Sequence, residues 1–185
     1  MEGAPRIQPA KFPLKDGRTL HLRAPTAADA PACIAFLRHV GGETDYLLCD
    51  ENGIEGLTLE KEQAYLQSSL GDPLIGMYLG FVGDTLVTVF DVRPFGRARI
   101  RHNGVLSLAV RKPFWGLGVG TVAMRTMLDF AKNAGYRNLT LDVRDDNARA
   151  IALYRSFGFA DSGLHRRFLC IRGEYYDQRM MDLCF

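Results

Sequence analysis

A mixed α+β domain is the fold class this sequence predicts, and three observations predict it. Short apolar runs of strand character recur along the chain, two pairs of them separated by the two-residue turn signals Gly83-Asp84 and Arg172-Gly173. Segments with apolar residues at helical spacing alternate with those runs. The length of 185 residues, 47% hydrophobic and 24% charged, suits one domain spanning 1–185 with a self-sufficient core.

The elements follow in order. Residues Met1–Lys15, with Pro5, Pro9 and Pro13, read as an irregular arm. Arg18–Arg23 alternates as a first strand. Thr26 and Asp29 form a capping box, and Ile34, Leu37 and Val40 continue a helix that Gly41-Gly42 is expected to stop. A second helix starts at Thr58 and runs to Leu70, with Gly71 and Pro73 ending it. Ile75–Val82 and Thr85–Val92 form a hairpin. Arginines 93, 97, 99 and 101 then mark a solvated connection to a strand over Gly104–Val110. Val122, Met124, Met127, Leu128 and Ala131 give a third helix its core face, closed by Gly135. Asn138–Val143 alternates as a strand. Asp145, Asp146 and Asn147 open a helix carrying Ala150, Leu153 and Phe157, and His165–Ile171 with Glu174–Leu183 make the last hairpin.

Composition excludes several classes. With 23 Lys+Arg against 21 Asp+Glu, the charge of +2 offers no footprint for nucleic acid. No apolar run approaches the roughly 18 residues of a transmembrane helix, and Met1–Lys15 lacks a signal-peptide core, so no membrane partner and a cytoplasmic location are expected. Cys33, Cys49, Cys170 and Cys184 form no C-x-x-C pair and read as small buried hydrophobes of a reducing compartment. Single, scattered histidines leave no metal-ligand cluster.

The chemistry concentrates at Trp115-Gly116-Leu117-Gly118-Val119-Gly120, between a strand and a helix. Unpaired backbone N–H groups, the positive end of the helix dipole and glycines that let phosphate approach make such a turn an anion site. With Asp142 about twenty residues on, the unit imitates a dinucleotide fold, but its spacing is G-x-G-x-G and it lies past mid-chain, after antiparallel-looking strands. No Gly-Lys-Ser/Thr follows, which excludes a Walker loop.

The run Val110–Thr121 resembles the coenzyme A pyrophosphate loop of the GCN5-related N-acetyltransferases. Downstream, Asn147-Ala148-Arg149-Ala150-Ile151-Ala152-Leu153-Tyr154-Arg155-Ser156-Phe157-Gly158-Phe159 resembles that family's second signature, N-x-x-A-x-x-L-Y-x-x-x-G-F. The likeness is nearest to the subgroup of ribosomal-protein N-terminal acetyltransferases. It implies a splayed mixed sheet of about seven strands flanked by about four helices, with acetyl-CoA as cosubstrate between Gly104–Val110 and Asn138–Val143. By the resemblance, backbone groups of Leu108, Ala109 and Val110 pair with the pantetheine arm. The N–H groups of Gly116, Leu117, Gly118, Val119, Gly120 and Thr121 hold the pyrophosphate, and Asn147 bonds the pantetheine region. Trp115 departs from the loop's usual Arg or Gln, so a side-chain contact to phosphate is lost.

The same resemblance makes Tyr154 the acid that protonates the departing thiolate, against a packing role beside Phe157 and Phe159. Asp142, twelve residues before Tyr154, matches a family glutamate that serves as base; as the shorter carboxylate it would act through a water. The alternative for Asp142 is a cap or an ion pair with Arg144 or Arg137. Val105 stands at another frequent carboxylate position and cannot serve. The expected activity is acetyl transfer to a primary amine, small-molecule or peptide, by direct attack. A non-catalytic CoA-binding regulatory module and a nucleotide-binding oxidoreductase are the rival classes. The acceptor is not legible, and whether the protein forms a homodimer stays open.

Overall fold

A computed structural model describes residues 8–185. Eight strands form one sheet: β1 (Ala10–Pro13), β2 (Thr19–Arg23), β3 (Gly76–Val82), β4 (Thr85–Pro94), β5 (Asn103–Val110), β6 (Asn138–Arg144), β7 (Ala160–Ile171) and β8 (Glu174–Cys184). Four α-helices flank it: α1 (Ala30–Glu43), α2 (Leu59–Gly71), α3 (Val119–Ala134) and α4 (Ala148–Ser156). The sheet order is β1-β2-β3-β4-β5-β6-β8-β7, antiparallel throughout except for the central β5–β6 pair. This is the mixed α+β architecture that the sequence predicts, with one strand more.

The extra strand is β1, inside the segment expected to be irregular. Its prolines mislead because β1 is an edge strand, where a missing N–H breaks no ladder. The part of that expectation that concerns Met1–Ile7 lies outside the described residues.

A second correction concerns α1, which runs through Gly41-Gly42 to Glu43. Gly41 serves close approach rather than termination: a Cβ there would sit 1.9 Å from the Asp50 carbonyl oxygen, so only glycine lets the following loop cross the helix. The start matches the capping-box pattern. The Asp29 carboxylate accepts from the Thr26 N–H at 2.7 Å and pairs with both terminal nitrogens of Arg23, at 2.6 and 2.8 Å.

Two cores divide at the sheet. On one face α1 and α2 bury Cys33, Phe36, Val40 and Leu66 against Met77, Leu79 and Leu86, with Val89 and Ala109 alongside. On the other, α3 lays Met124, Met127, Leu128 and Ala131 on Tyr78, Phe90, Val92, Leu106, Leu139 and Leu141, and α4 adds Ile151. Fully burying side chains such as Met124 and Met127 is worth roughly 1.5–3 kcal/mol each, which fixes α3 as the lever that presents its own N-terminus. Cys33 and Cys49 are buried as expected, whereas Cys170 and Cys184 are exposed on the outer hairpin strands, so those two are not core residues. Among the described residues no three of His, Cys, Asp and Glu converge as metal ligands, and no helix is long and apolar enough to cross a membrane.

Candidate active site

The sheet opens at its centre. β5 and β6 pair at only three positions, Asn103 with Asn138, Gly104 with Leu139 and Val105 with Thr140; beyond them β5 continues to Val110 and β6 to Arg144 unpaired. The alternation of the β4–β5 ladder decides which groups line the gap. Phe95 donates to the Asn103 carbonyl at 3.2 Å and Arg111 to that of Val87 at 2.9 Å, so odd-numbered residues of β5 bond to β4. Leu106, Leu108 and Val110 therefore turn their N–H and C=O into the gap. Ala109 does not: its carbonyl accepts the Thr88 hydroxyl at 2.8 Å on the β4 side. Of the three residues expected to meet an extended ligand through the backbone, Leu108 presents both groups to the gap and Val110 its N–H, the Val110 carbonyl already accepting from Trp115.

The glycine loop follows β5 directly. Gly116 and Gly118 have φ of +77° and +98°, a region that any side chain would strain, and Gly118 caps α3. From there Val119, Gly120 and Thr121 form the first turn of the 16-residue α3, whose N–H groups have no partner within the helix. Gly120 has another reason to be glycine, since its Cβ would meet Leu153 Cδ2 at 3.0 Å where α3 and α4 touch. Leu117 gives its carbonyl to the Lys15 N–H at 3.1 Å, which ties the loop to the β1–β2 turn. Trp115, the departure from the family pattern, has a structural task. Its indole N–H donates to the Val110 carbonyl at 2.7 Å, and the Arg149 guanidinium stacks 4.2 Å from its ring.

Tyr154 and Asp142 lie on opposite faces of the sheet. Tyr154 on α4 packs with the α3-side core, its ring 6.2 Å from that of Phe159, and burial pushes its hydroxyl up to about 12. It therefore carries its proton at neutral pH. Asp142 is exposed and points the other way from Leu139, Leu141 and Val143, toward the side of α1 and α2. The ion pair considered for it does not form with Arg144, which binds Asp146 at 2.6 Å instead. Asn147 caps α4, accepting from the Ala150 N–H at 3.2 Å.

Two further features had not been expected from the sequence. The first is an arch over the open end of the gap. At its base on β5's side, Glu43 at the end of α1 accepts from Arg111 at 2.9 Å and from the Lys112 N–H at 2.7 Å. On β6's side, Arg144 donates to the Asp45 carbonyl at 3.1 Å and lies between the Tyr46 and Tyr176 rings, 4.5 and 4.2 Å from them. The α1–α2 connection is thereby fastened to both separated strands. The second is Asp91 on β4, only 5% exposed, bonded to Arg93 and to the Ser107 hydroxyl. The signal for it was a carboxylate inside a buried strand, where charge is rare unless paired.

An open central sheet thus lies beside a helix start whose free N–H groups suit an anion, with a phenol on one face and a carboxylate on the other. A family profile described as Acetyltransferase (GNAT) family matches residues 43–159, and the chain belongs to that family. It is 37% identical over 91 residues to N-alpha-acetyltransferase RimI of Mycobacterium tuberculosis, covering 49% of this chain and 56% of the relative. Over 79 residues it is 34% identical to the [Ribosomal protein bS18]-alanine N-acetyltransferase of Salmonella typhimurium, covering 43% and 53%. The matched part thus spans about half the length of these curated relatives. The solved acetyltransferase of the GNAT family from Streptococcus pneumoniae superposes with a TM-score of 0.85 at 28% identity, covering 90% of this chain and 99% of that one.

Proposed function

We propose that the protein is an acetyl-CoA-dependent N-acetyltransferase that moves acetyl to a primary amine by direct attack, the described chain working as one domain. The observation that carries this reading is the three-pair β5–β6 junction with Tyr154 and Asp142 on its opposite faces. In the proposed complex the pyrophosphate lies on the N–H groups of Gly116–Thr121, and the pantetheine arm runs along Leu108 and Val110. At about 3.3 Å per residue, the stretch from Val110 back to Leu106 covers about 13 Å. That brings the thioester to the apex of the gap, level with Asp142.

A primary ammonium must shed a proton before its nitrogen can attack, and the thiolate that leaves must gain one. Opposite faces suit this geometry. The amine enters under the arch from the Asp142 side, while the sulfur departs toward the protonated Tyr154 on the other. Asn147 holds the start of α4, and hence Tyr154, in place, and its amide adds a contact to the arm. The likeness to the N-alpha-acetyltransferase relatives makes a peptide α-amine the first acceptor to try. The test is thiol release from acetyl-CoA, with product mass, across peptide N-termini, polyamines, aminoglycosides and small amino compounds. Amine-dependent release with one class supports the proposal. Tight acetyl-CoA binding without release for any of them would favour a regulatory module instead.

A further inference from the structure

We propose that Ser107, backed by the buried Asp91, is a second proton exit for the acceptor nitrogen, facing Asp142 across the gap; this rests on the acetyltransferase reading above. Continuing the β5–β6 register by two residues beyond Val105 and Thr140 brings Ser107 level with Asp142. Both side chains are exposed and lie on the face shared with Asp91, whose register partner is Ser107 itself. The Ser107 hydroxyl donates to Asp91, so its oxygen lone pairs remain available to an N–H arriving in the gap.

Nitrogen sheds two protons in each turnover, and a second acceptor spares Asp142 from emptying between them. Acetylating R–NH3+ forms one N–C bond and breaks one C–S bond. Nitrogen loses two protons and sulfur gains one, so one proton is released overall. Asp142 takes the ammonium proton before attack, and the Ser107–Asp91 pair takes the second as the tetrahedral adduct collapses: the N–H proton passes to the Ser107 oxygen as the hydroxyl proton passes to the Asp91 carboxylate. Once product leaves, one of the two protons restores Tyr154 and the other passes to water, Asp91 emptying back through the exposed Ser107 hydroxyl. Asp91 is suited to receive it. Arg93 on its own strand, Tyr65 presented by α2 and Tyr136 ahead of β6 are the titratable groups that feel its charge, and Glu62 on α2 faces Arg93. Burial raises the carboxyls of both Asp91 and Glu62, with Arg93 the cation that offsets it. Arg93 is itself held by stacking 4.2 Å from the Tyr65 ring. The guanidinium and the hydroxyl together hold the Asp91 carboxylate in a single orientation.

Replacing Asp91 strips Arg93 of its counter-ion and mixes stability with chemistry, so Ser107 is the position to change. The experiment compares kcat/KM against pH for wild type, Ser107→Ala and Ser107→Thr on one amine, with acetyl-CoA affinity measured by calorimetry. Ser107→Ala should lose about a hundredfold at neutral pH, the low end of the range for proton transfer, and the loss should persist as pH rises, because a free amine still has its second proton to shed after attack. Acetyl-CoA affinity should be unchanged, and Ser107→Thr, which keeps the hydroxyl and suits a strand, should restore the rate. A Ser107→Ala profile matching wild type overturns the relay and leaves the acetyltransferase reading standing. A wild-type protein that neither binds acetyl-CoA nor turns over any amine overturns both.

Discussion

Gly118→Val separates the cost of a strained backbone from the loss of a ligand site. Gly118 has φ of +98° with no atom within 4 Å of an added Cβ, so the branch point of valine sits in open space in the free protein. What it meets is a left-handed backbone, at about 2 kcal/mol for a branched residue. At about 2–4 °C per kcal/mol for a chain of this size, the free variant should melt about 4–8 °C below wild type. Gly135→Val is the control. Gly135 caps the other end of the 16-residue α3, with φ of +83° and equally open space, about 24 Å away at 1.5 Å per residue. It should suffer a similar loss. Acetyl-CoA at a hundred times its wild-type dissociation constant stabilises a folded binder by about 2.7 kcal/mol, or about 5–11 °C. Wild type and Gly135→Val should both show that shift in thermal denaturation. Gly118→Val should lose nearly all of it, because the added methyls occupy the space the phosphate needs. A folded Gly118→Val whose shift equals that of the control would refute the loop assignment.

Three other changes test the remaining parts. Tyr154→Phe should leave acetyl-CoA affinity intact and lower kcat by roughly 10²–10⁴-fold; an unchanged kcat where chemistry limits the rate would make Tyr154 a packing residue. Asp142→Asn should lower kcat/KM at neutral pH with a deficit that shrinks toward high pH, whereas parallel profiles with a reduced melting temperature would assign Asp142 a structural role. Asp29 is held down to about 2 by the Arg23 guanidinium. Its stabilisation is complete above its ordinary value of about 3.9 and fades as pH falls toward 2. Asp29→Asn should therefore cost about 1 kcal/mol at neutral pH, a drop of about 2–4 °C, and its melting temperature should approach that of wild type as pH falls through about 2 and meet it only below.

Which features the sequence revealed follows from how local their causes are. The loop, the α3 start and the α4 cap were legible because glycine spacing and Asn147 act within a few residues. The Tyr154 position was legible through a motif whose elements share one helix. The roles of Gly41 and Ser107 were not, because each is set by a partner far along the chain or on another strand: Asp50 crosses the helix, and Asp91 meets Ser107 only once β4 and β5 pair. Glu43 and Arg111 are 68 positions apart, so no spacing rule joins them into an arch. Ala109 shows a subtler limit. Its neighbours turn backbone groups into the gap and it does not, and only the alternation of ladder bonds tells which of three consecutive residues does so.

The most direct measurement is a crystal structure of the protein with acetyl-CoA. The account predicts the pantetheine amides bonded to the backbone of Leu108 and Val110, the pyrophosphate on Gly116–Thr121, and the thioester carbon between the Asp142 face and the Tyr154 hydroxyl. Density for the cofactor elsewhere, or β5 and β6 paired beyond Val105 and Thr140 with the ligand excluded, would contradict it.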